Sequence, residues 1–363
     1  MRLQKIWLTR GPLAWALRPI AVIHLLLVVI RKAGYNLNIF KTTTFPVPVI
    51  VVGNVVVGGA GKTPLVIALA NHFGKQGFSI GVVSRGYGRS HVDTVEVESN
   101  MSADQVGDEP ALIKSKLSIP IVVAKKRVDA VQLLIQSYPL IDMVICDDGL
   151  QHYALHRDVE IIVFDDRGIG NGWLLPAGLL REPWPKHKPQ NTQLVLHTGH
   201  ASQFSGYVST RRLAPIATKA SGEQLPIAAF RNKRVSAIAA IANPEAFFDM
   251  LRSTGLVLRR AIGLPDHYAF TANLDGIDEG FEDDDAVFCT EKDAIKLFSN
   301  SALSPKNLFS VPLVFVPEPA FYTALDKLVA QLMAGKDSHV PFGDGHQINS
   351  VTSLPTDKRA SSL

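Results

Sequence analysis

Residues 53–63 read Gly-Asn-Val-Val-Val-Gly-Gly-Ala-Gly-Lys-Thr and could form a loop that binds phosphate. Glycines allow consecutive backbone N–H groups to curl around phosphate oxygens, a lysine neutralises the β and γ phosphates, and a hydroxyl can reach Mg²⁺. Lys62 and Thr63 supply the last two groups, and Lys62 is therefore also a candidate catalytic residue. The predicted nucleotide-binding residues are Gly58, Gly59, Ala60, Gly61, Lys62, Thr63 and Pro64.

This loop departs from the consensus G-x-x-x-x-G-K-[ST] at its first position, which is Val56, and Gly58 and Gly59 are expected to supply the flexibility. A Gly-Lys-Thr triplet can arise by chance, so the alternative is a turn without function. A β-branched run before the loop and a helical pattern after it favour nucleotide binding, because the helix directs its positive end at the phosphates. ATPases of the partitioning and septum-positioning type carry a lysine where this chain has Val57. This difference argues against a regulatory ATPase of that type without excluding it.

A run of four apolar residues, 143–146, ends in Asp147 and Asp148. A buried strand of this kind delivers a carboxylate at its C-terminal edge, beside the phosphate loop, where it can serve Mg²⁺. The alternative is a turn with a capping aspartate. The paired carboxylates and the following Gly149-Leu150-Gln151-His152 favour a functional loop.

Two further segments could hold acid–base groups. Asp108, in Gly107-Asp108-Glu109-Pro110, could receive a proton from a hydroxyl acceptor. It could equally be a helix N-cap followed by an early helical proline, and the residues alone leave both interpretations open. His267 lies in a predicted loop, where a lone histidine is usually an ordinary residue, although loops are enriched in functional groups.

Two arginine-containing loops could contact anions. Arg85 and Arg89 flank two glycines and suit a phosphate on an acceptor, or else they form a solvated basic loop. Arg181 and Glu182 lie in a polar cluster bounded by Pro183, for which a plain loop at a domain boundary is the simpler interpretation.

These groups need a sheet that brings strand ends together, and the chain has the pattern for one. Short apolar runs alternate with helical patterns, first between Val47 and Phe164 and again from Arg234 to Met333. This alternation predicts an α/β fold, with a doubly wound, P-loop NTPase-like sheet and a second, smaller α/β domain. The expected domains are 1–45, an N-terminal membrane-surface helical region; 46–190, the P-loop domain; 191–233, a connecting ribbon; 234–335, the smaller α/β domain; and 336–363, a disordered tail.

The N-terminal region contains an apolar run of 12 residues, Pro19 to Ile30, interrupted by His24. A spanning helix needs about 20 residues, and no clear small-x-small cleavage site follows to support a signal peptide. Tryptophans and flanking basic residues favour a helix that lies in the interface of an anionic bilayer. The alternative is an amphipathic helix packed on its own domain.

Composition argues against two classes of site. A net charge of +4 over 363 residues is too small to indicate nucleic-acid binding. The two cysteines, Cys146 and Cys289, lie in apolar runs and form no CxxC or Cys/His cluster. We therefore expect buried thiols in a reducing compartment and no zinc site.

In their order along the chain these motifs resemble the tetraacyldisaccharide 4'-kinases of lipid A biosynthesis. The resemblance covers Ile50 to Lys296. Its carriers are Val52-Gly53-Asn54, Gly58-Gly59-Ala60-Gly61-Lys62-Thr63-Pro64, Ser84-Arg85-Gly86-Tyr87-Gly88, Gly107-Asp108-Glu109-Pro110, Asp147-Asp148-Gly149-Leu150-Gln151-His152, Asn171-Gly172, Leu175-Pro176-Ala177-Gly178, Leu180-Arg181-Glu182-Pro183, Pro265-Asp266-His267 and Thr290-Glu291-Lys292-Asp293-Ala294.

The resemblance implies transfer of the γ-phosphate of ATP, with Mg²⁺, to the 4' hydroxyl of a tetraacylated glucosamine disaccharide 1-phosphate, which gives lipid IVA. It implies an active site in the cleft between two α/β domains, in a peripheral, monotopic enzyme at the cytoplasmic face of a bacterial inner membrane. The expected partners are this lipid A precursor and the membrane surface, without nucleic acid, and we expect a monomer.

The resemblance also implies roles for individual residues of this chain, wherever they match a motif of the family. Asp108 matches a proposed catalytic base and His267 its partner, while Lys62 and Thr63 match the P-loop pair. The metal-ligand candidates are Thr63, Asp147, Glu109 and Glu182. The candidates that face the disaccharide or its phosphate are Asp148, Gln151, His152, Arg85 and Arg181.

One segment departs from the family: Ala240-Ile241-Ala242-Asn243-Pro244 stands where glycines are more common. This departure bears on local loop geometry more than on the chemistry. Two other functions stay open, namely a P-loop ATPase or GTPase that acts as a switch or chaperone at the membrane, and a non-catalytic lipid-binding protein with a relic loop. Lipid-dependent phosphorylation separates all three.

Overall fold

The computed structural model describes residues 6–90, 92–185, 192–199, 204–270, 281, 286–299 and 307–337, and within these ranges the strands form two sheets. The strands are β1 Val49–Gly53, β2 Ile80–Ser84, β3 Val95–Glu96, β4 Ile121–Val123, β5 Met143–Asp147, β6 Val159–Phe164, β7 Thr192–His197, β8 Tyr207–Leu213, β9 Ile216–Thr218, β10 Gln224–Pro226, β11 Val235–Ala239, β12 Leu258–Gly263, β13 Ala286–Thr290, β14 Leu308–Val311 and β15 Leu313–Pro317. The α-helices are α1 Pro12–Asn36, α2 Lys62–Lys75, α3 Ala103–Val106, α4 Asp108–Lys116, α5 Arg127–Ser137, α6 Pro244–Ser253, α7 Glu291–Ser299 and α8 Pro319–Asp337.

The first sheet has the strand order β15-β8-β7-β6-β1-β5-β2-β4-β3. Its central strand β1 pairs in parallel with β5 and β6, and all three are buried along their whole length, which explains their continuous apolar runs. Ile50 and Val52 pack on one face with α2, while Val49 and Val51 pack on the other face with α5. The predicted doubly wound α/β sheet is thereby confirmed.

The second sheet has the order β10-β9-β14-β13-β11-β12. Strands β12, β11, β13 and β14 are parallel, as expected of a smaller α/β domain, while β9 and β10 add an antiparallel edge. Phe247, Phe248 and Leu251 bury one side of α6 against this sheet.

The sheets divide the chain differently from the boundaries expected from the sequence. Strands β7 and β8, expected in a connecting ribbon over 191–233, extend the first sheet, and β15 pairs antiparallel with β8. Helix α8 also returns to the first core, because Phe321, Leu325 and Val329 form a stripe that packs there. Periodicity identified these elements but carries no information on which of two similar sheets they join. The tail expected over 336–363 lies almost entirely outside the described residues.

Helix α1 is 25 residues long, so the apolar run of 12 is only its centre. By length and composition it could cross a membrane, and the argument against spanning from the length of the run was wrong. Its buried residues are the small Ala14, Ala21 and Gly34. The alternative of an apolar face packed on the domain is wrong as well, because these large side chains are exposed: Leu13, Trp15, Ile20, Val22, Ile23, Leu26, Leu27, Val29 and Ile30.

The opposite side of α1 follows the first domain along its length. Arg10, just before the helix, donates from Nε to the carbonyl of Asn171 at 3.1 Å, and Arg18 stacks on Trp173. Near the other end, Lys32 Nζ lies 2.6 Å from Glu182 Oε2. A helix of this length extends about 37 Å. Since both ends touch the same domain, α1 lies along the protein rather than projecting from it.

Candidate active site

The phosphate loop connects β1 to α2, as predicted. Gly61 precedes the first turn of α2 with a φ of 86°, and Gly58 has a φ of 101°, so both require a conformation that glycine adopts readily. Asn54 donates from Nδ2 to the carbonyl of Gly58 at 2.9 Å and closes the loop on itself. Lys62 Nζ lies 3.4 Å from Asn54 Oδ1 and 3.6 Å from Asp148 Oδ1, and Thr63 and Pro64 follow in the first turn.

Two residues that the sequence did not single out support this loop. Arg167 is held by Asp165, with Nη2 2.7 Å from Oδ2, and its guanidinium lies against Gly58, where a Cβ would be 3.0 Å from Nη1. Thr198 donates from Oγ1 to the carbonyl of Ala60 at 3.0 Å. Both follow strands of the first sheet, β6 and β7, whose carboxyl ends meet at the loop.

Asp147 lies at the carboxyl end of β5 and is buried. Within the described ranges its Oδ1 has no hydrogen-bond partner. Burial, together with the neighbouring charge of Asp148, raises the pKa of Asp147 to about 7. A buried carboxylate oxygen without a donor, beside a phosphate loop, fits a cation.

The described residues contain no group of three or more His, Cys, Asp or Glu that could hold a metal by itself. Mg²⁺ does not require such a group, because it is usually bound by one or two carboxylates together with nucleotide phosphates and water. Asp147, at the end of β5, and Thr63, in the first turn of α2, stay the predicted ligands that the protein would provide for such a site.

Asp148 adopts a φ of 48° and lies between two cations, Lys62 and Arg181, whose Nη1 is 3.4 Å from Oδ1. Burial alone would raise the pKa of Asp148, but Lys62 and Arg181 outweigh it and hold this pKa below its usual value. The turn at Asp147 and Asp148 is stabilised by buried Arg127, which donates from Nη2 to the carbonyls of these two residues at 3.2 and 3.1 Å. The sequence alone had not indicated a role for Arg127.

Asp108 and His267 meet across the two halves of the chain. Asp108 is the first residue of α4, after Gly107, and His267 Nδ1 lies 2.9 Å from its Oδ2. Lys296 of α7 donates to the same oxygen at 2.8 Å. Among the described residues, both hydrogen bonds to this carboxylate therefore fall on Oδ2 and none falls on Oδ1.

These contacts also fix the charges. Burial alone would raise the pKa of Asp108, but the hydrogen bonds from His267 and Lys296 outweigh it and keep this pKa below its usual value. An ionised carboxylate only accepts, so Nδ1 of His267 carries the proton and donates it. The same hydrogen bond raises the pKa of His267 above its usual value.

Glu109 and Lys292 extend this cluster. Lys292 Nζ lies 3.4 Å from Glu109 Oε1, 3.0 Å from Asp266 Oδ1 and 3.3 Å from His267 Nε2. The negative charge of Glu109 also contributes to raising the pKa of Asp147, after burial and Asp148. In the sequence, Lys292 was indicated only by the motif at 290–294. Lys296 follows Lys292 by four residues and therefore lies on the same face of α7.

Asp293 of that motif holds the turn that departs from the family. Its Oδ2 accepts from the backbone N–H of Ala240 at 3.1 Å and from Thr290 Oγ1 at 2.6 Å. A Cβ on Gly59 would lie 3.4 Å from the Cβ of Ala242, so this turn approaches the phosphate loop.

Glu182, expected as a metal ligand, is instead surrounded by donors. It is 1% exposed and accepts from Gln151 Nε2 at 3.0 Å and from Tyr153 Oη at 2.8 Å, in addition to its pair with Lys32. Gln151 also donates to the carbonyl of Asn54 at 3.2 Å. The structure thus places Glu182 in a network that orients neighbouring side chains.

The remaining predicted substrate residues differ in their exposure. His152 accepts at Nε2 from the backbone N–H of Arg127 at 3.1 Å, and burial together with nearby Arg127 lowers the pKa of His152 to about 4. It is therefore neutral and supports the Arg127 turn. Arg85 is exposed on the loop after β2, where its guanidinium is open to an anionic ligand.

Comparisons with known proteins found a matching family and similar chains. The family model described as Tetraacyldisaccharide-1-P 4'-kinase matches residues 13–330. The chain is 54% identical to a tetraacyldisaccharide 4'-kinase of Polaromonas sp. (strain JS666 / ATCC BAA-500), covering 94% of this chain and 99% of the relative. It is 53% identical to the enzyme of that name from Polaromonas naphthalenivorans (strain CJ2), over 95% and 98% of the two chains.

A solved structure is similar over the same length. The crystal structure of the "apo" form of LpxK from Aquifex aeolicus in complex with ATP has a TM-score of 0.72 and 27% sequence identity to this chain. The match covers 88% of this chain and 99% of that one.

Proposed function

Since the chain belongs to the tetraacyldisaccharide-1-P 4'-kinase family, we propose how its own residues carry out the family reaction. The protein is an ATP-dependent kinase that phosphorylates the 4' hydroxyl of tetraacyldisaccharide 1-phosphate to give lipid IVA in lipid A biosynthesis. The observation that supports the assignment of roles is the pair of hydrogen bonds from His267 and Lys296 to Oδ2 of Asp108, at 2.9 and 2.8 Å, which among the described residues leaves Oδ1 without a donor.

The 4' oxygen forms a bond to the γ-phosphorus while the bond from that phosphorus to the bridging oxygen of ADP breaks. Asp108 receives the hydroxyl proton at Oδ1, while His267 and Lys296 hold the carboxylate through Oδ2. Lys62 and the loop N–H groups neutralise the phosphates. Asp147 and Thr63 would hold the Mg²⁺ that accompanies ATP, and the bound ion would supply further charge neutralisation at the phosphates.

The acceptor approaches from the side of Arg181 and Gln151. Arg181 pairs with Asp148 and contacts Gln151 Oε1 at 3.4 Å, so both side chains face the space beside the phosphate loop. Exposed Arg85 is available to the 1-phosphate. Glu109, held by Lys292, faces the same cluster and is the weaker candidate for the metal.

The exposed apolar face of α1 is the membrane contact. Because α1 lies along the domain and contacts the Arg181–Glu182 segment, a helix seated in the bilayer interface brings the site to the depth of a lipid headgroup. We infer that the protein lies at the cytoplasmic face of the inner membrane, where ATP is available, as a monotopic monomer.

The test is transfer of labelled γ-phosphate from ATP to tetraacyldisaccharide 1-phosphate in detergent. Wild type is expected to label the lipid, and Lys62→Ala to lose that label. Asp108→Asn, which keeps the hydrogen bonds' geometry, is expected to lower kcat by roughly 10²–10⁴-fold, the range for a general base. ATP hydrolysis without labelled lipid would indicate a membrane ATPase instead, and normal turnover of Asp108→Asn would remove the assigned base.

A further inference from the structure

Helix α1 touches the active site through two side chains on its protein-facing side. His24 donates from Nε2 to the carbonyl of Arg181 at 3.0 Å, and Lys32 pairs with Glu182 at 2.6 Å. A spacing of eight residues places the two on one face of a helix. The helix therefore holds two consecutive residues of the acceptor side, while its apolar face is turned outward.

The held segment continues to the phosphate loop through side chains. Glu182 orients Gln151, whose amide donates to Glu182 and to the carbonyl of Asn54, while its oxygen receives Arg181. Asn54 in turn contacts Lys62. A continuous series of contacts thus runs from Lys32 to the nucleotide lysine.

In this series of contacts, the ion pair between Lys32 and Glu182 is the one whose loss we expect to disturb the site most. The Glu182 side chain is 1% exposed and that of Lys32 is 28% exposed, so the carboxylate is desolvated and its cation lies at the edge of water. Removal of one partner of a buried ion pair is strongly destabilising, because the remaining charge stays buried. Without Lys32, the buried Glu182 carboxylate would lose this close cation while it still accepts from Gln151 and Tyr153, and a shift of the carboxylate would change the orientation of Gln151.

We propose that Lys32 and His24 are positioning residues for phosphoryl transfer, through which α1 sets the orientation of Arg181, Glu182 and Gln151. The helix then completes the acceptor side of the site as well as attaching the protein to lipid. This inference rests on the proposed function of that side, and it assigns Glu182 to the link between helix and site.

Its test compares Lys32→Ala with Arg18→Ala. Each removes one positive charge from α1, but Arg18 stacks on Trp15 and Trp173, away from Glu182. With saturating acceptor in detergent, Lys32→Ala is expected to lower kcat about tenfold or more, as for a small misplacement of binding groups. Arg18→Ala is expected to keep kcat within about twofold, and both variants to keep the affinity for a fluorescent ATP analogue within about twofold, since no nucleotide contact is removed.

Two further variants separate positioning from general loss of structure. Lys32→Arg keeps the cation and is expected to recover most of kcat, while His24→Ala is expected to lower kcat in the same direction with less effect. In a cycle with Glu182→Gln, the double variant Lys32→Ala/Glu182→Gln is expected to lose much less than the product of the single losses, because the residues are coupled. Thermal unfolding of each variant identifies any that are not folded.

Equal kcat in Lys32→Ala and Arg18→Ala, or losses that multiply independently in the cycle, would overturn this inference and leave the proposed function intact. Failure of the wild type to phosphorylate the lipid would overturn both.

Discussion

Asp108 combines a lowered pKa with a fixed orientation. A carboxylate that stays ionised at neutral pH is a weak base, so its contribution lies in the placement of Oδ1, with His267 and Lys296 bonded to Oδ2. The sequence implied Asp108 and His267 through the family motif. It did not indicate Lys296, because that contact depends on the approach of α7 to the first turn of α4.

The pKa of His267 gives a pH dependence with a definite sign. Because the folded pKa lies above the unfolded value of about 6.5, the pair with Asp108 stabilises the fold fully below that value and loses this contribution as pH rises through the folded pKa. We expect the Tm difference between wild type and His267→Gln to be larger at pH 6 than at pH 9. An NMR titration of His267 that gave the same pKa in Asp108→Asn would show that the hydrogen bond to Asp108 does not cause the shift.

The backbone conformation of Gly58 in the phosphate loop leads to a second prediction. An alanine there would hold a φ of 101° and place its Cβ 3.0 Å from Arg167, whereas at Gly59 the new Cβ meets Ala242 at an ordinary 3.4 Å. We expect Gly58→Ala to weaken ATP binding by roughly tenfold, the equivalent of about 1–2 kcal/mol of left-handed strain. Gly59→Ala should lose clearly less. Equal losses, measured with a fluorescent ATP analogue, would mean that backbone conformation is not the cause.

Among the elements, helix α1 shows most clearly what the sequence could and could not provide. Apolar composition with flanking basic residues predicted a surface helix, and the exposed apolar face agrees with this interpretation. Its length was underestimated, because Arg18 and Arg31 bound the apolar run without ending the helix and Pro19 lies inside it. The strands of the first sheet were easier to predict, since burial on both faces leaves continuous apolar runs.

Membrane binding by α1 is testable with a matched surface control. Leu27 is 61% exposed on the helix, and Leu140 is 87% exposed in the turn before β5. Burial of a leucine side chain contributes about 1.5–3 kcal/mol, so we expect Leu27→Asp to reduce partition onto anionic vesicles by roughly tenfold or more. Leu140→Asp should leave partition unchanged in the same co-sedimentation assay. Equal partition of both variants would place the lipid contact elsewhere.

For the molecule as a whole, several ion pairs join helix α4 of the first half to residues of the second half. Lys296 and His267 meet Asp108, Lys292 meets Glu109, and Lys116 of α4 pairs with Glu291 of α7. The sequence predicted two α/β halves with a cleft between them. It could not assign β7, β8, β15 and α8 to the first half, because their patterns fit either sheet.

The Lys116–Glu291 pair provides a test of this contact away from the reacting groups. We expect Lys116→Glu to lower kcat/KM about threefold to tenfold, since like charges then oppose the approach of α7, although a partly exposed pair contributes only about 0–1 kcal/mol when intact. The charge swap Lys116→Glu/Glu291→Lys should recover part of the loss; recovery is incomplete because Glu291 also accepts from the backbone N–H of Leu313. No recovery in the swap would exclude an electrostatic origin.

Strands β8 and β15 pair directly, with Leu213 opposite Leu313 and a hydrogen bond of 2.8 Å from Ala214 to Pro312. The chain therefore leaves the nucleotide-binding half and re-enters it at neighbouring points, and everything between is an insertion into a β-hairpin. In such an arrangement the inserted half is joined to the first through two neighbouring strands, so a rotation about them would change the distance of His267 and Lys296 from Asp108 without reordering the strand that precedes Lys62. During evolution, the inserted half could be replaced or shortened without a change in the strand order of the first sheet.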